Sequence, residues 1–216
     1  MYLPRHFEEV RPEALQALMQ AHPMGLLVTA GAQGAPVADA LPFLYEPPSA
    51  DAPQGRLLAH VARANPLWQA AQGREVLVVF QGPQGYVSPG WYPSKAEHGK
   101  VVPTWNYAMV QARGTLRAID DAAAARDVVE RLTARHEAPM PAPWAVADAP
   151  ADYLAAMLRA IVAIEIPLSA LTGKFKLSQN RSEAERQGVV SGLGGLGPEA
   201  APLAAWTAAG GPPDAG

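Results

Sequence analysis

Short apolar runs, each cut off within a few residues by glycine or proline, limit what this chain can fold into more than any other feature. Residues 25–30 (GLLVTA) and 36–44 flank a glycine-bracketed turn at 31–34 and read as a hairpin. Further strands are expected at 56–61 (RLLAHV), at 75–82 paired with 85–88, and along the alternating run 104–119, which Gly114 bends or bulges. Residues 161–167 (IVAIEIP) return to strand. Six or more strands joined by turns too short for crossover helices favour a small antiparallel barrel over an open parallel sheet. The expected fold class is therefore mainly β with added helices (α+β).

The helices announce themselves by their caps. Pro12 opens a short packing helix carrying Leu15, Leu18 and Met19, which His22-Pro23 stops. Asp120 or Asp121 caps a second through Val128, Val129 and Leu132, and the proline-rich stretch 138–150 links it to a third at 152–160. Ser182 and Glu185 form a capping-box pattern for another, ending near Gly192. One domain is expected over residues 1–209, with helical additions at 121–160 and 182–209 and a disordered tail at 210–216.

Composition removes several function classes. The chain has no cysteine, so disulfides, thiolate metal sites and cysteine nucleophiles are excluded. Its five histidines are scattered without metal-ligand spacing. No apolar run is long enough to span a bilayer and the start lacks a signal-peptide pattern, so a cytoplasmic protein with no membrane contact is the expectation. With 17 Lys+Arg against 20 Asp+Glu, the net charge of −3 argues against a broad phosphate-backbone footprint. The most arginine-rich helical segment, with Arg126, Arg131 and Arg135, also carries Asp127, Glu130 and Glu137, which reads as a solvated charged face and not as a DNA-recognition helix.

The stretch 86–107, YVSPGWYPSKAEHGKVVPTWNY, suits neither a buried strand nor a surface helix. Aromatic rings beside amide and ammonium donors fit a flat ligand with a polar rim, though the same residues would equally pin a proline-rich loop to the core. Only four lysines and three asparagines occur in the chain. All seven fall in the short segments ARANP, PSKAEHGK, PTWNY and TGKFKLSQNR. Asn65-Pro66 reads as an N-cap and first helical position for a helix running to Gln72, whose start, near His60 and Arg63, is either an anion site or a plain cap. Gly192-x-Gly194-Gly195-x-Gly197 spells a dinucleotide fingerprint, but it follows a helix where the fingerprint requires a strand, and reads as a helix stop.

Taken together, HVARANPLW (60–68), YVSPGWYPS (86–94), GKVVPTWNY (99–107) and GKFKLSQNR (173–181), with the opening MYLPRHF, resemble the PaiB family of FMN-binding negative transcriptional regulators. The resemblance covers residues 1–195. It implies an FMN-binding split β-barrel, usually a homodimer with the flavin near the subunit interface, and a regulatory role that includes sporulation and protease genes in some bacteria. DNA enters as a partner through this resemblance alone. FMN is the expected cofactor, ahead of FAD or haem, with His60, Arg63 and Asn65 meeting the phosphate or ribityl chain. Trp91, Tyr92, Thr104, Trp105 and Asn106 are expected to frame the ring, and Lys176, Gln179, Asn180 and Arg181 to lie beyond the last strand and cross to the other subunit's site. The competing expectation is a flavin oxidoreductase using NAD(P)H, or a haem-binding enzyme on the same barrel.

Overall fold

The computed structural model describes residues 1–31 and 34–213. The chain begins with β1 (Glu8–Glu9), α1 (Pro12–Ala21), β2 (Met24–Ala30), β3 (Pro36–Pro42), β4 (Leu44–Glu46), β5 (Arg56–Ala62), α2 (Leu67–Ala70) and β6 (Glu75–Val87). A 3-10 turn at Pro89–Trp91 leads into α3 (Ser94–His98), β7 (Thr104–Thr115), β8 (Arg117–Ile119), α4 (Ala122–Glu137) and α5 (Ala151–Arg159). The chain ends with β9 (Ile161–Lys176), α6 (Glu183–Gly194) and α7 (Ala201–Ala209). Among the described residues the strands hydrogen-bond in the order β3-β2-β6-β7-β9-β5-β4, with β1 and β8 each paired to β9. This is the antiparallel, helix-decorated β fold expected from the sequence. The two middle residues of the expected turn at 31–34 and the last three of the expected tail lie outside the described residues.

By internal contact the chain divides into two discontinuous units. The first comprises Met1–His22, Phe80–Val110 and Thr172–Gly216, and the second Pro23–Val79 and Gln111–Leu171. Within the second unit β2 and β3 pair from Met24↔Pro42 to Ala30↔Pro36, and β5 pairs with β9 from Arg56↔Pro167 to Ala62↔Ile161. Val128 and Leu132 of α4 and Leu158 of α5 bury themselves against Leu58 and Ala163 of that second ladder. Asp121 caps α4 as its position foretold, its Oδ1 accepting the Ala124 N–H at 2.9 Å. The single strand expected over 104–119 is in fact two. Leu116 leaves the ladder to donate its N–H to Arg74 O (3.0 Å) and accept that of Gly73 (2.9 Å). Gly114 has its reason next door, because a Cβ there would stand 2.2 Å from Pro167 O.

The strand pair expected at 75–82 and 85–88 turns out to be one continuous strand. Its glycines serve packing instead of turning: a Cβ on Gly82 would press on Leu18 of α1 at 3.1 Å, and one on Gly85 on Leu203 of α7 at 2.8 Å. Strand β9 also runs nine residues past Pro167, to Lys176, so Lys176 ends a strand where the sequence reading had it beyond one. Ser182 caps α6 by accepting the Glu185 N–H at 3.3 Å, but the reciprocal bond of a capping box is replaced by a contact of Glu185 with Ser94. Helix α7 packs on α6 and sets Trp206 against Phe175, ring centroids 5.6 Å apart. Gly210 and Gly211 are the end of this helix and not loose tail: Gly210 takes the left-handed conformation (φ 72°) and Gly211 donates to Trp206 O at 3.0 Å.

Candidate functional site

The end of β9 does not fray, because the residues after it are tied back. Gln179 accepts the Leu177 N–H through Oε1 at 2.7 Å and donates from Nε2 to Phe175 O at 2.5 Å, closing the turn on itself. Between them Ser178 adopts φ 67°, a left-handed conformation that a residue with a Cβ adopts only when its surroundings hold it there. What holds it is Asn106 on β7, which is 1% exposed. Asn106 Nδ2 donates to Ser178 Oγ (3.0 Å) and to Thr207 Oγ1 of α7 (3.3 Å), and its Oδ1 accepts from Ser178 Oγ at 3.2 Å.

Above this buried cluster lies a cavity of about 110 Å³ lined by Tyr92, Val102, Pro103, Thr104, Asn106, Lys176, Ser178, Asn180 and Arg181. Among the described residues no carboxylate lines it. Lys176 Nζ donates to the hydroxyl of Thr104 and, at 2.6 Å, to Trp105 O, and lies 5.8 Å from the centroid of the Phe7 ring, so its charge meets neutral groups. Burial, together with the charges of Lys174 and Arg181, pulls the Lys176 pKa below the ordinary lysine value. The Arg181 guanidinium lies over the Tyr92 ring, 4.7 Å from its centroid, and stands 3.9 Å from the carboxylate of Glu185. Tyr92 itself is 2% exposed, and its hydroxyl is buried without a hydrogen bond. Burial raises its pKa with help from Glu185, against the opposing charge of Arg181, so the phenol keeps its proton. Two cations lining one small space, with no carboxylate among its described lining residues, are what an anion requires.

The volume decides which part of a ligand enters. It exceeds the roughly 10–15 Å³ one water needs and falls short of the roughly 300–1,000 Å³ that enclose a drug-sized molecule. A terminal phosphate fits, a three-ring system does not. A second pocket of the first unit, about 550 Å³, is lined by Tyr86, Trp91, Leu193, Leu196 and Leu203 among others. Here the glycine pattern of 192–197 finds its use. A Cβ on Gly192 would stand 2.2 Å from the Trp91 ring and one on Gly188 2.1 Å from Trp91 O, so these glycines let the 3-10 turn lie directly on α6.

Of the twelve residues the sequence singled out, six line the small cavity: Tyr92, Thr104, Asn106, Lys176, Asn180 and Arg181. Trp91 lines the second pocket, Trp105 is 53% exposed with its edge toward Tyr86, and Gln179 is consumed by its own turn. The remaining three belong to the second unit, where Arg63 and Asn65 have local occupations. Arg63 forms a two-pronged ion pair with Asp120 (3.0 and 2.7 Å) and also donates to Arg159 O and Ile161 O. Asn65 accepts the Leu67 N–H at 2.9 Å and donates to Asp39 at 3.0 Å. The helix expected to run to Gln72 is the single turn α2, too short for aligned peptide dipoles to gather an anion. His60 keeps a buried Nδ1 without a hydrogen bond, and burial lowers its pKa, favouring the neutral ring. Sequence reasoning missed Ser178 and Thr207; the short run KLSQNR held a weak signal for the first, and nothing local marks the second.

Among the described residues no group of three or more His, Asp or Glu is placed to hold a metal ion, and no helix is long and apolar enough to cross a membrane. Comparison with known proteins gives the cavity a context. An uncharacterized protein of Emericella nidulans is 35% identical over 235 residues, covering 93% of each chain. The protease synthase and sporulation protein PAI 2 of Bacillus subtilis is 30% identical over 89% of each. The flavocytochrome Anf3 of Azotobacter vinelandii shares the fold with a TM-score of 0.57 at 14% identity, over 81% of this chain and 72% of its own. Residues 1–170 match the family model described as "Putative FMN-binding domain", and with the extended fungal and bacterial relatives this places the chain in that family.

Proposed function

We propose that this chain is a cytoplasmic, homodimeric FMN-binding protein that grips the flavin by its phosphate in the cavity between Lys176, Arg181 and Tyr92, and that its role is regulatory. One observation carries the binding mode: Lys176 and Arg181 both line the cavity and, among the described residues, no carboxylate does. A phosphate monoester brings about −1.5 to −2 charges and three acceptor oxygens, which answers each of these groups. When bound, FMN supplies a redox-active ring; this chain's residues orient it by its charged end. Lys176 and Arg181 provide charge, the Tyr92 ring backs the Arg181 guanidinium, and Asn180 adds an amide.

The regulatory reading follows the family resemblance and the name of the Bacillus subtilis relative. Direct reading of DNA by α4 has no support, since Arg126 pairs with Glu130, and Arg131 with Glu46 and Asp127. Regulation through flavin occupancy fits this surface better. A dimer is favoured by the β2–β3 hairpin, where Met24 (61% exposed) and Leu26 (45%) share a face with Pro42 and Ala40 across the ladder, an apolar surface without charge.

The test is titration of flavin-free protein with FMN, riboflavin and FAD, for the natural chain and for Lys176→Ala and Arg181→Ala. The proposal expects FMN to bind more tightly than riboflavin and that advantage to shrink in both variants. Equal affinity of the natural chain for FMN and riboflavin would refute the phosphate site. Rapid flavin-dependent NAD(P)H turnover would replace the regulatory role with an oxidoreductase.

A further inference from the structure

We infer that Thr207, on the C-terminal helix α7, is a positioning residue for the anion cavity. It acts through Asn106, which holds Ser178 in its left-handed conformation and so fixes the turn that brings Lys176, Asn180 and Arg181 to the cavity. The inference rests on the phosphate-binding reading above and adds to it a dependence on a helix outside the residues matched by the family model.

The physical case starts from an accounting of one amide. Asn106 is almost fully buried and can donate two hydrogen bonds from Nδ2; Ser178 Oγ takes one and Thr207 Oγ1 the other. Thr207 has no solvent exposure, so neither group can turn to water instead. With both Nδ2 protons engaged, the amide cannot rotate, and its Oδ1 stays aimed at the Ser178 hydroxyl. Ser178 in turn sits at φ 67°, a conformation that L residues leave unless their side chain is clamped. Lys176 precedes it by two residues while Asn180 and Arg181 follow by two and three, so relaxation of this one dihedral pair redirects three cavity groups at once. Trp206 beside Thr207 packs on Phe175 of the same strand, which fixes the height of α7 over the turn.

Three chains test this: the natural one, Thr207→Val, which keeps the shape and loses the acceptor, and Thr207→Ser, which keeps the hydroxyl. FMN and riboflavin affinities and the melting temperature of the flavin-free protein are measured for each. Thr207→Val should weaken FMN by about threefold to tenfold, the worth of one neutral buried hydrogen bond, and leave riboflavin affinity unchanged. Thr207→Ser should restore the FMN preference even if it melts lower. An unchanged FMN-to-riboflavin ratio in Thr207→Val, with Lys176→Ala still lowering that ratio, would overturn the inference while sparing the phosphate site. No effect of Lys176→Ala would instead remove the reading on which it stands. Loss of both flavins' affinity in parallel with melting temperature would make Thr207 a structural residue only.

Discussion

Arg63 in the second unit and Lys176 in the first both come from short, compositionally unusual segments, and the structure treats them in opposite ways. Arg63 is matched by Asp120 in two bonds and by two backbone carbonyls, so its guanidinium is already answered. Lys176 is half-buried beside neutral oxygens, the Phe7 ring and two further cations, and no carboxylate among the described residues pairs with it. The contrast teaches that a basic residue marks an anion site by the partner it lacks. Sequence displays the residue, while the missing or present partner lies far along the chain: Asp120 is 57 residues from Arg63, and Thr104 is 72 from Lys176.

Substitutions can sharpen or break that contrast. The largest effect is expected at Asn106, which lines the cavity and anchors the cluster beneath it. Asn106→Ala leaves the fully buried Thr207 hydroxyl without its partner and frees Ser178 from its clamp, and should cost about 1–3 kcal/mol of stability, with FMN affinity falling as well. Thermal unfolding of the flavin-free variant measures the first part, and a melting point equal to the natural protein's would show that the cluster holds nothing.

Lys176→Ala should come next, weakening FMN by about 1.5–3 kcal/mol, as for a hydrogen bond to a charged group. The stability of the flavin-free protein should hold or rise, because a desolvated cation among like charges is removed. Parallel flavin titration and chemical denaturation separate these quantities, and a fall in stability matching the fall in affinity would reduce Lys176 to a structural role.

The same lysine predicts a pH dependence. Its folded pKa is lowered, so anion binding, which needs the protonated amine, is full below that value and declines as pH rises through it, earlier than for an ordinary lysine. Stability of the flavin-free protein has the opposite slope: between the folded pKa and the unfolded one the unfolded chain binds more protons, so stability rises with pH across that window. FMN affinity measured from neutral to alkaline pH should show the decline in the natural chain and lose it in Lys176→Ala.

The smallest effect belongs to Arg63. Arg63→Ala removes an exposed ion pair, should lower stability slightly and should leave FMN affinity where it was. A large loss of FMN binding would return the phosphate to the second unit.

Much of this fold was legible because its causes are local. Asp121 and Ser182 act as caps where they stand, and the strand runs alternate as written. The errors came where a local symbol has a distant cause. Gly82 and Gly85 look like a turn and are contact points for Leu18 and Leu203; the glycines near 192 do stop a helix, as read, but Gly192 also seats Trp91, which the sequence did not show. At the site, charge and aromatic composition identified six of the cavity's lining residues. Asn106 lines the cavity but spends its amide on Ser178 and Thr207, and Gln179 closes its own turn, since hydrogen-bond partners are set by three-dimensional neighbours that composition does not reveal.

The most direct test is a crystal structure of the protein with FMN. The account predicts the phosphate within hydrogen-bond distance of Lys176 Nζ and the Arg181 guanidinium, with the Arg63–Asp120 pair intact. A phosphate held by Arg63 and His60 with the Asp120 pair opened, and the Lys176 cavity empty of the cofactor, would contradict it.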